Sequence, residues 1–138
     1  MIINSTLRAM LLAASLCAVT AVAMARSAAL VDLGRQSIST SAPLTTKAVH
    51  DAIVAGGSTH NWRVVGDKPG VLTLEADSRE HQAVVDVAYD ATGFKITYKS
   101  SANLNYEQSE KKTTIHPKYN QWIENLNTAI HNATLNAK

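Results

Sequence analysis

Five histidines, His50, His60, His81, His116 and His131, are the residues of this chain best suited to metal ligation or to proton transfer near neutral pH. A zinc site usually draws two of its imidazoles from short fixed spacings, because both must reach one ion from a single turn or strand. None of the five stands in H-x-H, H-x-x-x-H or H-E-x-x-H spacing, so neither a metal nor a cofactor is expected. His50 and His131 read as helix positions off an apolar stripe, and His60 and His81 as residues at the start of strands. His116 stands apart, between a polar stretch and the last helix, one turn before Asn120. A general base also needs a nucleophile and an orienting acid. Asp86 and Asp90 are already explained by a strand and a turn, and Ser100, Ser101 and Ser109 lie outside any nucleophile-elbow pattern. The reading therefore weighs against an enzyme and assigns no catalytic residue; a small hydrolase working through His116 is the alternative.

A second constellation suits binding. Tyr98, Ser100, Asn103, Tyr106, His116, Tyr119 and Asn120, with Asn105 among them, gather where the fourth of four predicted strands hands over to the last helix. Such side chains offer stacking faces and neutral hydrogen bonds, a mixture fit for a glycan, a peptide or the polar surface of an envelope protein. The two tryptophans, Trp62 and Trp122, fall on apolar stripes and read as core.

The elements that must position these residues follow from periodicity. Residues 26–44 form an extended lead-in with the character of an edge strand. Thr45 or Thr46 caps a first helix whose stripe is Val49, Ala52 and Ile53, and Gly56-Gly57 is its expected stop. Four strands alternate next. Trp62 and Val64 share a face of the first, Leu72, Leu74 and Ala76 of the second, Ala83, Val85, Val87 and Tyr89 of the third, and Phe94, Ile96 and Tyr98 of the fourth. Short turns at Asp67–Gly70, Ser78–Glu80 and Asp90–Gly93 predict an antiparallel meander. The opposite face, Arg63, Thr73, Glu75, Gln82, Asp86, Lys95, Thr97 and Lys99 with Val65, Val71 and Val84, is expected to be wet. Residues 100–115 read as a connecting loop. Pro117 opens the last helix, with Tyr119, Trp122, Ile123, Leu126, Ala129, Ile130 and Ala133 on one stripe. The expectation is a single α+β domain over 45–138: a two-layer sandwich, the four-stranded meander carrying both helices on one face.

Residues 1–25 read as a cleavable signal peptide: Arg8, an apolar stretch from Ala9, and a small-residue end, Ala21-Val-Ala23-Met-Ala25, with cleavage preferred after Ala25. The uncharged run is at the short limit for a membrane span, so no stable span is expected once it is cut. The chain's one cysteine, Cys17, lies inside this leader. Its removal leaves a domain without disulfide or thiol chemistry. The alternative, a lipoprotein acylated at Cys17, meets Leu16 where that processing wants a small residue. Loss of Arg8 takes the full chain's +2 charge to about +1, with both signs interspersed. No basic stripe speaks for nucleic acid. The sequon at Asn132 would matter only in a eukaryotic secretory route.

The run Tyr98-Lys-Ser100-Ser-Ala-Asn103-Leu104-Asn-Tyr106, followed by Ile115-His116-Pro-Lys-Tyr119-Asn120-Gln-Trp122-Ile123, resembles a group of small exported proteins and lipoproteins of Gram-negative bacteria. That group carries Y-x-x-S-x-N-L and then I-H-x-x-Y-N-x-W. Trp62, Gly70 and His81 fall where it also has a tryptophan, a glycine and a histidine. The resemblance spans roughly Val49 to Leu126 and implies a periplasmic or envelope location; it brings no activity with it. The charged stretch Glu107 to Thr114 departs from the pattern. The leading expectation is thus an exported, non-catalytic binding or accessory module, with a structural subunit of an envelope assembly as a third reading.

Overall fold

A computed structural model describes residues 27–138; the leader, its cleavage site and Cys17 lie outside the described residues. The first helix, α1, runs Thr46–Ser58, and its N-terminus is closed by the Thr45 hydroxyl, which accepts the Ala48 N–H at 3.0 Å. Val49, Ala52, Ile53, Gly56 and Gly57 form its buried side. The glycines expected to stop the helix instead lie inside it. A Cβ on Gly56 would come within 2.8 Å of the Ala129 carbonyl oxygen on the last helix, so glycine is what lets the two helix backbones approach this closely. The stop comes at Thr59, which caps α1 through its N–H and its hydroxyl, both bonded to Gly56 O.

Four strands follow as a meander: β3 (Trp62–Lys68), β4 (Val71–Ser78), β5 (His81–Asp90) and β6 (Gly93–Ala102), preceded in the chain by β1 (Ala28–Ala29) and β2 (Arg35–Ser37). After β6 come β7 (Glu107–Gln108), β8 (Thr113–Ile115) and the last helix, α2 (Pro117–Leu135). The α+β class stands, with mainly antiparallel pairing and two helices, but the sheet is larger than a four-stranded meander. The order is β2-β6-β5-β4-β3, because Arg35–Ser37 of the lead-in pairs with Gly93–Lys95. A second sheet, β1-β8-β7, joins the start of the lead-in to the segment read as a loop. Strands of two or three residues are too short to show a two-residue period, and their partners lie far away in sequence, so no local pattern announces them.

The core lies between the main sheet and the helix pair. Leu72, Leu74, Val85, Val87, Phe94 and Ile96 of the sheet cluster with Val49 and Ile53 of α1 and with Ile123, Leu126 and Ile130 of α2. Two bulges set which side chains face this core. At Val65 the register of β3 slips, so Gly66 pairs with Thr73 and Asp67 with Leu72, which turns Asp67 to the helix side. Val64 keeps the inward face but sits on the edge strand, where it remains 39% exposed. The second slip leaves Lys99 of β6 unpaired, with Tyr98 opposite Val85 and Ser100 opposite Val84. The expected wet face carries ion pairs, Arg63 with Glu75 and Asp77 and Lys99 with Asp86, and the Thr73 hydroxyl donates to the Asp86 carboxylate.

Candidate functional site

At the junction of β6 and α2, Asn103 and Asn105 both adopt left-handed backbone, φ +58° and +52°, and Leu104 between them is 1% exposed. The Asn-Leu-Asn run is thereby explained as a fold that drives one leucine into the core, since asparagine tolerates that conformation best among non-glycine residues. Asn103 donates its amide to Glu80 O at 2.7 Å, and its own carbonyl accepts from His81 Nδ1 at 2.8 Å. Leu104 O accepts the His116 N–H at 2.7 Å. The His116 ring caps α2: its Nδ1 accepts the Lys118 N–H at 3.0 Å, which puts the neutral ring's proton on Nε2. The rings of His81 and His116 lie 5.4 Å apart.

Asn120 ties down the lead-in with both ends of its amide, accepting from Val31 N–H at 2.9 Å and donating to Ala29 O at 2.8 Å. Tyr119 is buried, and that burial pushes its phenol above the usual tyrosine range. Tyr98 stacks on Tyr106 with centroids 4.2 Å apart. The Lys99 bulge puts Ser100 on the opposite face of the sheet from Tyr98 and brings Ser101 round in its place, 2.9 Å from the Tyr98 hydroxyl. Ser101, not Ser100, is also the serine of the Y-x-x-S-x-N-L run. Of the seven residues singled out by type, six do meet at this junction. Asn103, His116 and Asn120 spend polar atoms on internal bonds there, and Tyr106 is the aromatic ring left at the surface.

A different surface gathers groups that are not so engaged. Where α1 ends, Thr59, His60 and Asn61 lead into Trp62, and Asn61 makes the turn with φ +63°. These residues, with Ala76, Asp77 and Ser78 at the end of β4 and Trp122 and Asn125 of α2, line a cavity of about 270 Å³. Trp62 is buried and Trp122 half-buried, their rings edge to face with centroids 6.5 Å apart. Lys118 Nζ stands 5.6 Å from the centre of the Trp122 ring. The side chains of Asn61, Asn125, His60 and Ser78 make no hydrogen bond with the other described residues. Thr59, His60 and Asn125 also line the near end of a groove of about 830 Å³ between the two helices. Its floor is alanine, Ala48, Ala52 and Ala129 among them, and Asn125, Thr128, Asn132 and Asn136 follow one another along it at helical spacing.

The tryptophans were legible as core, and Trp62 is core. The cavity beside them was missed because its lining comes from three elements. The signal available was the row of neutral polar residues on the outer side of α2, which alone reads as a solvated helix face. Compared with known proteins, the chain matches no family model, no curated protein and no solved structure.

Proposed function

We propose that this chain is exported by the leader at residues 1–25, is cut after Ala25, and serves in a Gram-negative periplasm or envelope as a non-catalytic binding module. The leader's three-part composition and the resemblance over Tyr98 to Ile123 support the address. Support for binding rather than catalysis comes from four of the five histidines, all but the cavity's own His60. His50 lies between Asp51 and Asp67, His81 on a carbonyl, His116 on a helix N-terminus and His131 against Phe94 and Gln36. Among the described residues no helix is long and apolar enough to cross a membrane.

The observation that carries the reading is the cavity at Trp62 and Trp122, where polar side chains from the turn after α1, from β4 and from α2, the Asp77 carboxylate among them, converge beside an aromatic pair. Ligand sites combine these features: apolar surface for affinity and a few placed polar groups for orientation. Hydrogen exchange of the mature domain, with and without envelope extract, tests it. Protection at Thr59–Trp62 and Trp122–Asn125 is expected. Protection confined to Tyr98–Tyr106 would move the site to the junction, and unchanged exchange throughout would contradict a binding module.

A further inference from the structure

We infer that the middle of the lead-in, residues 31–34, is a strap that lifts from α2 while both its ends stay fastened, and that Asn127 beneath it primes the opening. The ends are zipped. On one side β1 pairs with β8, the Leu30 N–H reaches Thr113 O at 3.0 Å and Asn120 donates to Ala29 O. On the other β2 pairs with β6, the Ile38 N–H reaches Thr92 O at 2.9 Å and Arg35 holds Asp90. Between these ends the chain leaves both sheets. Among the described residues, the one hydrogen bond from residues 31–34 to anything outside the lead-in is Val31 N–H to Asn120 Oδ1. The segment's other bonds stay within the lead-in: Gly34, at φ +66°, donates to Asp32 Oδ1, and Gln36 donates to Leu33 O. A segment so sparsely bonded opens at a lower free energy than the ladders that flank it.

The helix beneath favours that opening. Asn120, Asn127 and His131 lie on one line of α2, the second about two turns and the third about three turns beyond the first. Asn120 meets Ala29 and Val31, and His131 meets Gln36 at 3.4 Å, so Asn127 sits under the stretch between them. Its side-chain oxygen is buried and has no hydrogen-bond partner. A buried acceptor left unmet raises the energy of the closed strap, and lifting removes that cost because water then reaches the oxygen. Val31 and Leu33 pack against the core and oppose the opening, but both are only partly buried, so little apolar surface is lost. The lifted state therefore lies well below global unfolding. It bares the Asn127 carboxamide and the flank of α2 around it, a surface separate from the cavity at Trp122.

Amide exchange of the 15N-labelled mature domain over a series of low denaturant concentrations tests this. Val31 is expected to exchange faster than Leu30 and Ile38, at a rate that hardly changes with denaturant, the mark of an opening that exposes little surface. Asn127→Leu, close to asparagine in shape but without the orphan oxygen, should slow Val31 by roughly tenfold and leave Leu30 and Ile38 as they were. Asn127→Val removes the same oxygen with a smaller side chain and should slow Val31 as well. An Asn127 that merely supports the fold predicts the reverse, faster exchange in both variants. Unchanged or faster exchange at Val31 in the variants would overturn the proposal. So would a wild-type Val31 that exchanges with the same denaturant dependence as core amides such as Leu74 and Ile123, a comparison that stands whether or not either variant folds.

Discussion

His50 has a carboxylate at each ring nitrogen, Asp51 Oδ1 on Nδ1 and Asp67 Oδ2 on Nε2, both at 2.9 Å, with Lys47 behind Asp51 and the Tyr89 ring alongside. Both nitrogens can donate only when the ring is a cation, so the bonds to Asp51 and then Asp67 raise its pKa. A raised folded pKa stabilises fully below the unfolded value, ~6.5, and the contribution is lost as pH rises through the folded value. Thermal melts should therefore show the wild type losing its advantage over His50→Gln between pH ~6 and ~8; parallel curves would contradict this. Asp90 works with the opposite sign. Hydrogen bonds from Arg35 and then Thr92 hold its carboxyl below the usual range, so its contribution is present above the ordinary carboxylate pKa and lost in acid. Asn120 is a structural residue on this account. Asn120→Ala leaves a part-buried Val31 N–H without its acceptor and should cost about 1–3 kcal/mol, with faster hydrogen exchange confined at first to Ala28–Val31. Unchanged stability would show that the lead-in is held by other means.

The helix crossing at Gly56 gives the clearest case at the scale of an element. Gly56→Ala forces a methyl group to within 2.8 Å of the Ala129 backbone, so α1 and α2 must part, at a cost of about 1–3 kcal/mol. At Gly57 the nearest atom is the Trp62 Cβ at 3.3 Å, and the gain in helix propensity, about 1 kcal/mol, offsets much of that contact. Denaturant melts of the two variants should rank Gly57→Ala well above Gly56→Ala, and equal loss would place the close approach elsewhere. The same pair shows why sequence misplaced the helix end: two glycines signal a stop by local rules, and only the partner helix gives them another reason to be there. The strands were readable wherever one face is buried over several alternations, as in Leu72, Leu74 and Ala76. Bulges were not, since one unpaired residue at Val65 or Lys99 leaves no mark on composition yet decides that Asp67 faces His50 and that Ser101 rather than Ser100 meets Tyr98.

Over the whole molecule, the α+β class and the two amphipathic helices follow from the sequence, while the lead-in's double role does not. It supplies one strand to each sheet, and a far residue of α2, Asn120, fastens it. Of the junction residues chosen by type, Ser100 faces the other side of the sheet, and Asn103, His116 and Asn120 spend polar atoms on the fold. The neutral groups left open lie instead around Trp122, fed by the end of α1, the end of β4 and the middle of α2. The central claim is that this opening is where the domain binds. With two tryptophans in the chain, the indole region of a 15N spectrum holds two reporters, one in the core at Trp62 and one on the cavity wall at Trp122. Adding soluble envelope extract to the mature domain should move the Trp122 indole signal in a saturable way and leave the Tyr106 amide still. A Trp122 signal that stays fixed while Tyr106 and its neighbours move would contradict the account.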